Sequence, residues 1–388
     1  MTISRFAFPT TIHFGAGASA LVADHLKAKG IKRPLIITDK GLAPLPVARK
    51  FAQSLADGGL AVAAFSGIWG NPMASMVGTG VAAYRAHGAD AVVGFGGGAA
   101  LDVAKLVALM ATNAGDDVLE YAWDHPQVRP IANPLPYFVA LPTTSGTGSE
   151  VGRSSVVSDD KTHVKKIVFS QSLLAKVVFA DPALTLDLPP QITAATGMDA
   201  LTHNIESYLS PAYHPLCDGI ALEGVRIAAR ALPVAVREPS NLAARGDMLM
   251  ASMMGAIAFQ KDLGAVHSCA HALSTVADLH HGLANGIMLD HVMRFNLSAA
   301  AGKMAELARV AQVPGAGTMN EADAAAAFID WIVRLKAQLG IPAKLAASGV
   351  NTGHIDALVA VAIDDICHQT NPRPCTREDF AQIFAAAI

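Results

Sequence analysis

Acidic and imidazole side chains are concentrated in one part of the C-terminal half of the chain. Seven of the 14 histidines fall between residues 203 and 291. Three short segments, ATGMDALTHNIES, GAVHSCAH and DLHHG, contain pairs of candidate ligands: Asp199 with His203, His267 with His271, and His280 with His281. Side chains four residues apart lie on the same face of a helix, so each of the first two pairs could offer two ligands to one divalent ion.

The donor types restrict which metal could bind. Carboxylate oxygens and imidazole nitrogens without thiolate suit Fe²⁺, Zn²⁺, Mn²⁺ or Co²⁺ rather than an iron–sulfur cluster or Cu(I). The four cysteines form no CxxC pair and are expected to be buried free thiols. A single acid–histidine pair is often only a hydrogen-bonded pair, but several such motifs in one region predict a metal site. HExxH, Walker A and GxSxG motifs are absent, which excludes zincins, P-loop proteins and α/β-hydrolases.

A glycine-rich turn in the N-terminal half could hold an anion. The apolar run ADAVVGF leads into Gly96, Gly97 and Gly98 and then into a helical pattern. Glycines allow backbone N–H groups to approach an anion, and the start of a helix adds partial positive charge, so a dinucleotide pyrophosphate could bind there. The glycine pattern is weakly specific, and an ordinary tight turn is the alternative.

Two further turns support this prediction. LPTTSGTGSE (141–150) follows another apolar run and collects hydroxyl groups in one loop, although an ordinary polar loop would look the same. Asp39 ends the run IITD, where its carboxylate could bind a ribose and would repel a 2′-phosphate, favouring NAD over NADP. Asp39 could equally be a turn or helix-capping residue. Loops at the carboxyl ends of parallel strands form the ligand crevice of open α/β sheets.

Two kinds of hydrophobic pattern indicate the elements that position these residues. Short β-rich runs alternate with helical patterns in the first half, which predicts a parallel sheet: the runs are 33–38, 60–65, 89–95, 135–141 and 176–181. After Pro189-Pro190 helical periodicity predominates: the predicted helices are 191–209, 215–231, 241–261, 265–279, 321–339 and 354–369. We therefore predict an α/β dinucleotide-binding domain over residues 1–185 and an all-α metal-binding domain over residues 186–388.

The composition is typical of a globular protein. Of the 388 residues, 52% are hydrophobic and 16% are charged, and the net charge is −3. Such a chain buries enough apolar surface to fold and offers no basic face for a nucleic-acid backbone. The N-terminus has no apolar region of signal-peptide length, and no stretch of 18 residues lacks polar interruption. We expect a cytoplasmic protein that binds neither nucleic acid nor membranes.

Together the motifs resemble the iron-containing (group III) alcohol dehydrogenase family. GGGAALDVAK, PTTSGTGSE, TGMDALTHNIESYLSP, HSCAHALS and HHGLANGIMLDHVMRFN occur in that family's order and spacing across roughly residues 8–300. The resemblance implies an N-terminal dinucleotide-binding α/β domain with a parallel sheet and an all-α catalytic domain, an architecture shared with dehydroquinate synthase. It further implies an oxidoreductase that uses Fe²⁺ or Zn²⁺ and transfers a hydride between a small primary alcohol or aldehyde and NAD(H), with NADP less favoured.

The resemblance also implies roles for individual residues. The metal ligands would be Asp199, His203, His267 and His281, with His280 excluded, and His271 would be the catalytic histidine beside the nicotinamide. The cofactor-binding residues would be Asp39, Asn71, Gly97, Gly98, Asp102, Thr143, Thr144 and Lys166, with Lys165 as a competitor for the last role. Two positions depart from the family pattern, because Ala99 replaces a serine and Gly70 replaces a proline. We expect both to affect cofactor affinity rather than reaction type.

The implied reaction depends on the ion as a Lewis acid. By binding the substrate oxygen it lowers the alcohol's pKa, so that an alkoxide forms and expels hydride. Two alternatives stay open: a dehydroquinate synthase-like, NAD-dependent lyase, and a non-catalytic metal-binding helical protein. The lyase would need several Lys or Arg groups for its substrate, and residues 199–291 place none beside the implied ligands.

The sequence gives less information about the substrate and the oligomeric state. Arg153 in SEVGR could pair with a substrate carboxylate, as in the 4-hydroxybutyrate dehydrogenase-like subgroup, although a structural ion pair is the commoner role for such an arginine. Apolar residues near the N-terminus, Phe6, Phe8 and Ile12, favour a homodimer.

Overall fold

The computed structural model describes Phe8 and Thr10–Ile388. The described residues form two compact units: residues 10–144 with Gly148–Leu186, and Ser145–Thr147 with Asp187–Ile388. Phe6, invoked above for a dimer, lies outside the described residues.

The first unit is built on a parallel sheet. Its strands are β1 (Thr11–Phe14), β2 (Pro34–Asp39), β3 (Ala63–Ile68), β4 (Ala91–Gly96), β5 (Tyr137–Pro142), β6 (Ser154–Ser158), β7 (Lys165–Phe169) and β8 (Val177–Ala180). Six of them pair in the order β1-β8-β5-β4-β2-β3, all parallel, whereas β6 and β7 form a separate antiparallel hairpin. Every residue of β4 is buried, as expected for a central strand covered on both faces.

The helices of this unit cover the sheet. They are α1 (Val22–Ala28), α2 (Pro46–Asp57), α3 (Ala74–His87) and α4 (Gly98–Thr112). Helix α4 follows β4 directly and buries ten of its 15 residues, because its sequence is almost entirely Ala, Leu, Val and Met. The strand order reverses between β2 and β4, since β3 lies on one side of β2 while β4, β5 and β8 continue on the other. Such a switch point leaves a crevice at the carboxyl ends of the strands.

The second unit is helical. Its helices are α5 (Pro190–Leu209), α6 (Pro215–Arg237), α7 (Leu242–Ala258), α8 (Ala265–Ala277), α9 (His281–Val310), α10 (Glu321–Gln338), α11 (Ile355–Asp364) and α12 (Arg377–Ala387). Their buried faces form one apolar core rich in Ala, Leu and Met. Among the described residues, one stretch, Leu242–Lys261, is long and apolar enough to cross a membrane by length and composition. It consists of α7 and the turn after it, and 61% of the stretch is buried inside the protein, as in the core helix of a globular domain.

The predicted fold class, a parallel α/β domain followed by an all-α domain, is confirmed. Several elements differ from the sequence analysis, since β1, the hairpin of β6 and β7, and α12 lie outside the predicted segments. The strand predicted at 60–65 begins three residues later, and α9, the longest helix, was missed entirely. Two glycines in its first turns weaken the helical signal, and Ala300 has a non-helical backbone (φ −134°) that interrupts the helix.

Candidate active site

Three helices bring the four implied metal ligands together. Asp199 and His203 lie one turn apart on α5, His267 is in the first turn of α8, and His281 begins α9. The Oδ1 atom of Asp199 lies 3.9 Å from Nε2 of His203, 3.7 Å from Nε2 of His267 and 3.5 Å from Nε2 of His281. These separations are too long for strong hydrogen bonds. The ligand atoms of Asp199, His203 and His267 all lie within 4.8 Å of one another, and Nε2 of His281 joins them through its approach to Asp199.

The charges at this cluster are set by burial and by mutual contact. Burial alone would raise the pKa of Asp199, but the surrounding imidazoles outweigh it and hold that pKa well below its usual range. Burial lowers the pKa of His203 to about 4. For His267, burial also disfavours the cation, but the carboxylates of Asp199 and Glu206 prevail and raise its pKa to about 9. The cluster therefore offers an ionised carboxylate, and binding a metal requires His267 to release a proton.

Asn285, one turn after His281, shows that the ligand atoms point to one place. Its Nδ2 atom donates to Oδ1 of Asp199 at 2.7 Å, and lies 3.2 Å from Nε2 of His281 and 3.4 Å from Nε2 of His267. The amide NH2 group of Asn285 thus lies close to ligand atoms of Asp199, His267 and His281, while its buried Oδ1 atom has no hydrogen-bond partner among the described residues. An oxygen and nitrogen donor set that converges in this way fits Fe²⁺ or Zn²⁺.

Glu206 is a site residue that the sequence analysis missed. It is buried on α5, seven residues after Asp199, and its Oε2 atom accepts a 2.6 Å hydrogen bond from Nδ1 of His267. The spacing 199, 203, 206 places all three side chains on one face of α5, and that spacing was the available signal.

His271 lies beside the cluster and is held by a carboxylate. Its ring stacks on that of His281 with centroids 5.2 Å apart, and its Nδ1 atom lies 2.7 Å from Oδ2 of Asp365. The other oxygen of Asp365 accepts from Oγ of Ser268 and from the backbone of Cys367. Burial would raise the pKa of Asp365, but His271 and these donors hold it far below its usual range. An ionised Asp365 favours the tautomer of His271 that carries its proton on Nδ1.

His280 has a different role from its neighbour. Its side chain accepts a hydrogen bond from the backbone of Leu283 and caps the N-terminus of α9. The capping position turns its ring back onto its own helix, so it does not join the ligand cluster.

The predicted cofactor-binding residues of the α/β unit lie on adjacent strand ends. Asp39 ends β2, Gly97 and Gly98 follow β4, and Thr143 and Thr144 follow β5, which is the neighbour of β4. Gly96, the last residue of β4, has φ +155°, and a Cβ there would lie 3.6 Å from Oδ2 of Asp39. A Cβ on Gly97 would lie 3.2 Å from Thr144, and no side chain caps the N-terminus of α4. The glycine turn therefore lies between an acid and a hydroxyl at the switch point.

The remaining predicted cofactor residues already make contacts within the unit. Asp102 accepts from Oγ of Ser149 at 2.6 Å and from the backbone of Val156, and the buried Lys105 also donates to Ser149. Burial raises the pKa of Asp102, against the lowering effect of Lys105. This network ties α4 to the loop after β5 and to β6.

Other predicted residues lie around the hairpin or at the sheet edge. Lys166 on β7 pairs with Asp124 at 2.6 Å, whereas its competitor Lys165 pairs with Ser158 in the backbone register of the hairpin. Asn71 lies in the loop between β3 and α3. Arg153, the candidate for a substrate carboxylate, places its guanidinium 4.7 Å from the ring centroid of Phe169.

Comparisons with known proteins agree with this geometry. Residues 9–182 match the model of iron-containing alcohol dehydrogenase, and residues 193–388 match that of the C-terminal part of the Fe-containing alcohol dehydrogenase family. The chain is 39% identical to 4-hydroxybutyrate dehydrogenase of Cupriavidus necator, over 98% of each protein. It is 34% identical to NAD-dependent methanol dehydrogenase of Bacillus methanolicus, over 100% of each. A crystal structure of 1,3-propanediol oxidoreductase superimposes with a TM-score of 0.95 at 36% identity, covering 100% of both chains.

Proposed function

From the premise that the chain belongs to the iron-containing alcohol dehydrogenase family, we propose which residues carry out its reaction and which alcohols it accepts. The predicted family, enzyme class and cofactors are confirmed: the protein is an NAD-dependent oxidoreductase of small alcohols and aldehydes that uses a divalent metal. The convergence of Asp199 with three imidazoles is the observation that carries the assignment of roles.

Asp199, His203, His267 and His281 hold the metal ion in this proposal. Bound there, the ion supplies Lewis acidity to an alcohol oxygen. Asp199 contributes the negative charge of the site, because its carboxyl stays ionised. His203 contributes a neutral imidazole at neutral pH, because burial disfavours its cation. The donor set matches both Fe²⁺ and Zn²⁺.

His271 carries the proton that the alcohol loses. The bond from its Nδ1 atom to Asp365 leaves Nε2 as the atom that accepts the proton, and the charge that then forms on the ring is stabilised by the ionised carboxylate. This arrangement of a histidine oriented by a buried acid is common to many general bases.

NAD binds at the switch point of the α/β unit in this proposal. The backbone at Gly97 and Gly98 and the N-terminus of α4 bind the pyrophosphate, while Asp39 accepts hydrogen bonds from the adenosine ribose. Thr143 and Thr144 contact the adenine and ribose side. Asn71 contacts the nicotinamide half and Lys166 a ribose hydroxyl, whereas Asp102 positions the loop after β5 through Ser149.

The proposed substrates are short primary alcohols, including an ω-hydroxy acid of the 4-hydroxybutyrate type. Relatives named for 4-hydroxybutyrate, 1,3-propanediol and methanol support this range. A panel of these alcohols with ethanol and butanol, assayed with NAD after metal stripping and reloading, tests it. Metal-dependent NADH formation supports the proposal, and NADH formation that is equal with and without metal contradicts it.

The assembly, domain limits and location of the protein complete the proposal. We expect a cytoplasmic homodimer with a dinucleotide-binding domain over 1–185 and a catalytic domain over 186–388. Light scattering of the purified protein measures the mass, and expression of the two halves separately tests whether each folds.

A further inference from the structure

The first turn of α8, which carries His267, is held by a buried acid from another helix. Helix α8 begins after Gly264, and no side chain of its own caps it. Instead, Oε1 of Glu206 accepts from the backbone of Val266 at 2.7 Å, and Oε2 lies 3.4 Å from the backbone nitrogen of His267. A carboxylate at a helix N-terminus meets unsatisfied N–H groups and the positive end of the helix dipole, which offset the cost of its burial.

The same carboxylate determines which nitrogen of His267 is available. Oε2 of Glu206 accepts from Nδ1 of His267 at 2.6 Å, so this nitrogen carries a proton. The Nε2 atom is then the ring nitrogen that faces Asp199. Both oxygens of Glu206 are therefore occupied by donors, and an amide at this position could accept from only one of them.

The packing around Glu206 leaves no freedom for other arrangements. Its exposed fraction is 3%, and a Cβ on Gly264 would lie 2.6 Å from its Oε1 atom. The Oδ1 atom of Asn371 would lie 3.0 Å from the same Cβ, and it accepts from the backbone of Ala265 at 3.2 Å. The start of α8 is thus held by two side chains, and of these two it is Glu206 that contacts the imidazole of His267.

We propose that Glu206 is a positioning residue of the metal centre, which keeps the proton of His267 on Nδ1 and presents Nε2 to the ion. This inference rests on the proposed metal site. Carboxylates that bind the second nitrogen of a metal-bound histidine orient the ring and increase its basicity, and their loss weakens metal binding about 10- to 100-fold.

The test compares Glu206→Gln with a matched control, Asn371→Ala. Both variants weaken the start of α8, but only the first replaces the carboxylate that accepts from His267 with an amide, which cannot accept from both Val266 and His267. Zinc affinity of the metal-stripped proteins is measured by competition with a chromogenic chelator. We expect Glu206→Gln to lower the affinity about 10- to 100-fold and Asn371→Ala to change it less than threefold. Equal losses in both variants, or no loss in Glu206→Gln, would overturn the proposal.

Two further measurements distinguish a positioning role of Glu206 from a general destabilisation of the fold. In the zinc-loaded protein labelled with ¹⁵N-histidine, the Nδ1 proton of His267 should give a strongly hydrogen-bonded signal that Glu206→Gln weakens, because the acceptor loses its charge, and that Asn371→Ala retains. In a His267→Ala background, Glu206→Gln should cause no further loss of zinc affinity, because the residue acts through that imidazole. An additive loss would show that Glu206 acts by another route. If His267→Ala itself leaves the zinc affinity unchanged, the proposed metal site is refuted, and this result differs from one that refutes only the role of Glu206.

Discussion

Gly282 is the residue at which the position of a ligand can be tested most directly. It follows His281 at the start of α9, and a Cβ there would lie 2.4 Å from the backbone oxygen of Ala195 and 2.8 Å from its carbonyl carbon. Both atoms belong to the backbone of α5, the helix that carries Asp199, so they cannot move aside as a side chain can. An alanine at this position must push the start of α9 away from α5 by about 1 Å to reach an ordinary contact distance.

The expected effect of Gly282→Ala is larger on the site than on the fold. Overpacking costs about 1–3 kcal/mol, while replacing a helical glycine recovers about 0.5–1 kcal/mol, so the net loss of stability should be at most about 2.5 kcal/mol. The metal site tolerates a smaller displacement than the fold does, because ligands must be held within about 0.5 Å of their working positions. A displacement of about 1 Å can lower activity about 100-fold. We therefore expect zinc affinity and metal-dependent kcat/KM to fall sharply in a protein that remains folded.

The assay combines chelator competition, steady-state kinetics and urea unfolding. The matched control is Gly219→Ala in α6, where the added Cβ would meet no other element of the described structure within 4 Å, so this variant should keep its metal affinity and gain about 0.5–1 kcal/mol of stability. If Gly282→Ala binds zinc and turns over like the unmodified protein, the close approach of α9 to α5 does not position His281, and the reasoning is refuted.

Other perturbations test each part of the molecule separately. His267→Ala should abolish metal-dependent activity and leave NADH binding, measured by fluorescence, unchanged; retained activity in the metal-stripped variant would contradict the ligand assignment. Asp39→Asn should raise the ratio of kcat/KM for NADP over NAD about tenfold, since it removes the charge that repels a 2′-phosphate; an unchanged ratio would show that Asp39 only stabilises its turn. Glu150 is buried and its Oε1 atom has no hydrogen-bond partner in the described structure; burial raises its pKa to about 7 from the ordinary value near 4.5. Its protonated form is favoured in the folded state, so its contribution to stability is complete below about pH 4.5 and is lost as the pH rises through about 7. Glu150→Gln should remove up to about 3 kcal/mol of that pH dependence, measured by urea unfolding at pH 5 and pH 8; matching pH profiles in both proteins would refute the raised pKa.

The local patterns of the sequence were sufficient for the fold class and indicated the side chains that we propose as metal ligands. Apolar runs separated by helical patterns predicted the parallel sheet, because a strand buried on both faces must be continuously apolar, as in β4. The spacing of Asp199 and His203 needed only helix geometry to place both on one face of α5. The choice of His281 over His280 as a ligand came from the family resemblance and stays a prediction; in the structure His280 caps α9.

The contacts that orient the site depended on tertiary structure. Glu206 meets His267 across 61 residues of sequence, and Asp365 meets His271 across 94, so no local pattern pairs them. Helix α9 was missed because its glycines weaken the helical signal, yet Gly282 is what allows α9 to approach α5. The sequence by itself determined which side chains are available and placed Asp199, His203 and His267 on predicted helices. Tertiary packing decided which nitrogen of His267 and of His271 faces a carboxylate, because Glu206 and Asp365 are partners that only the folded chain brings to them.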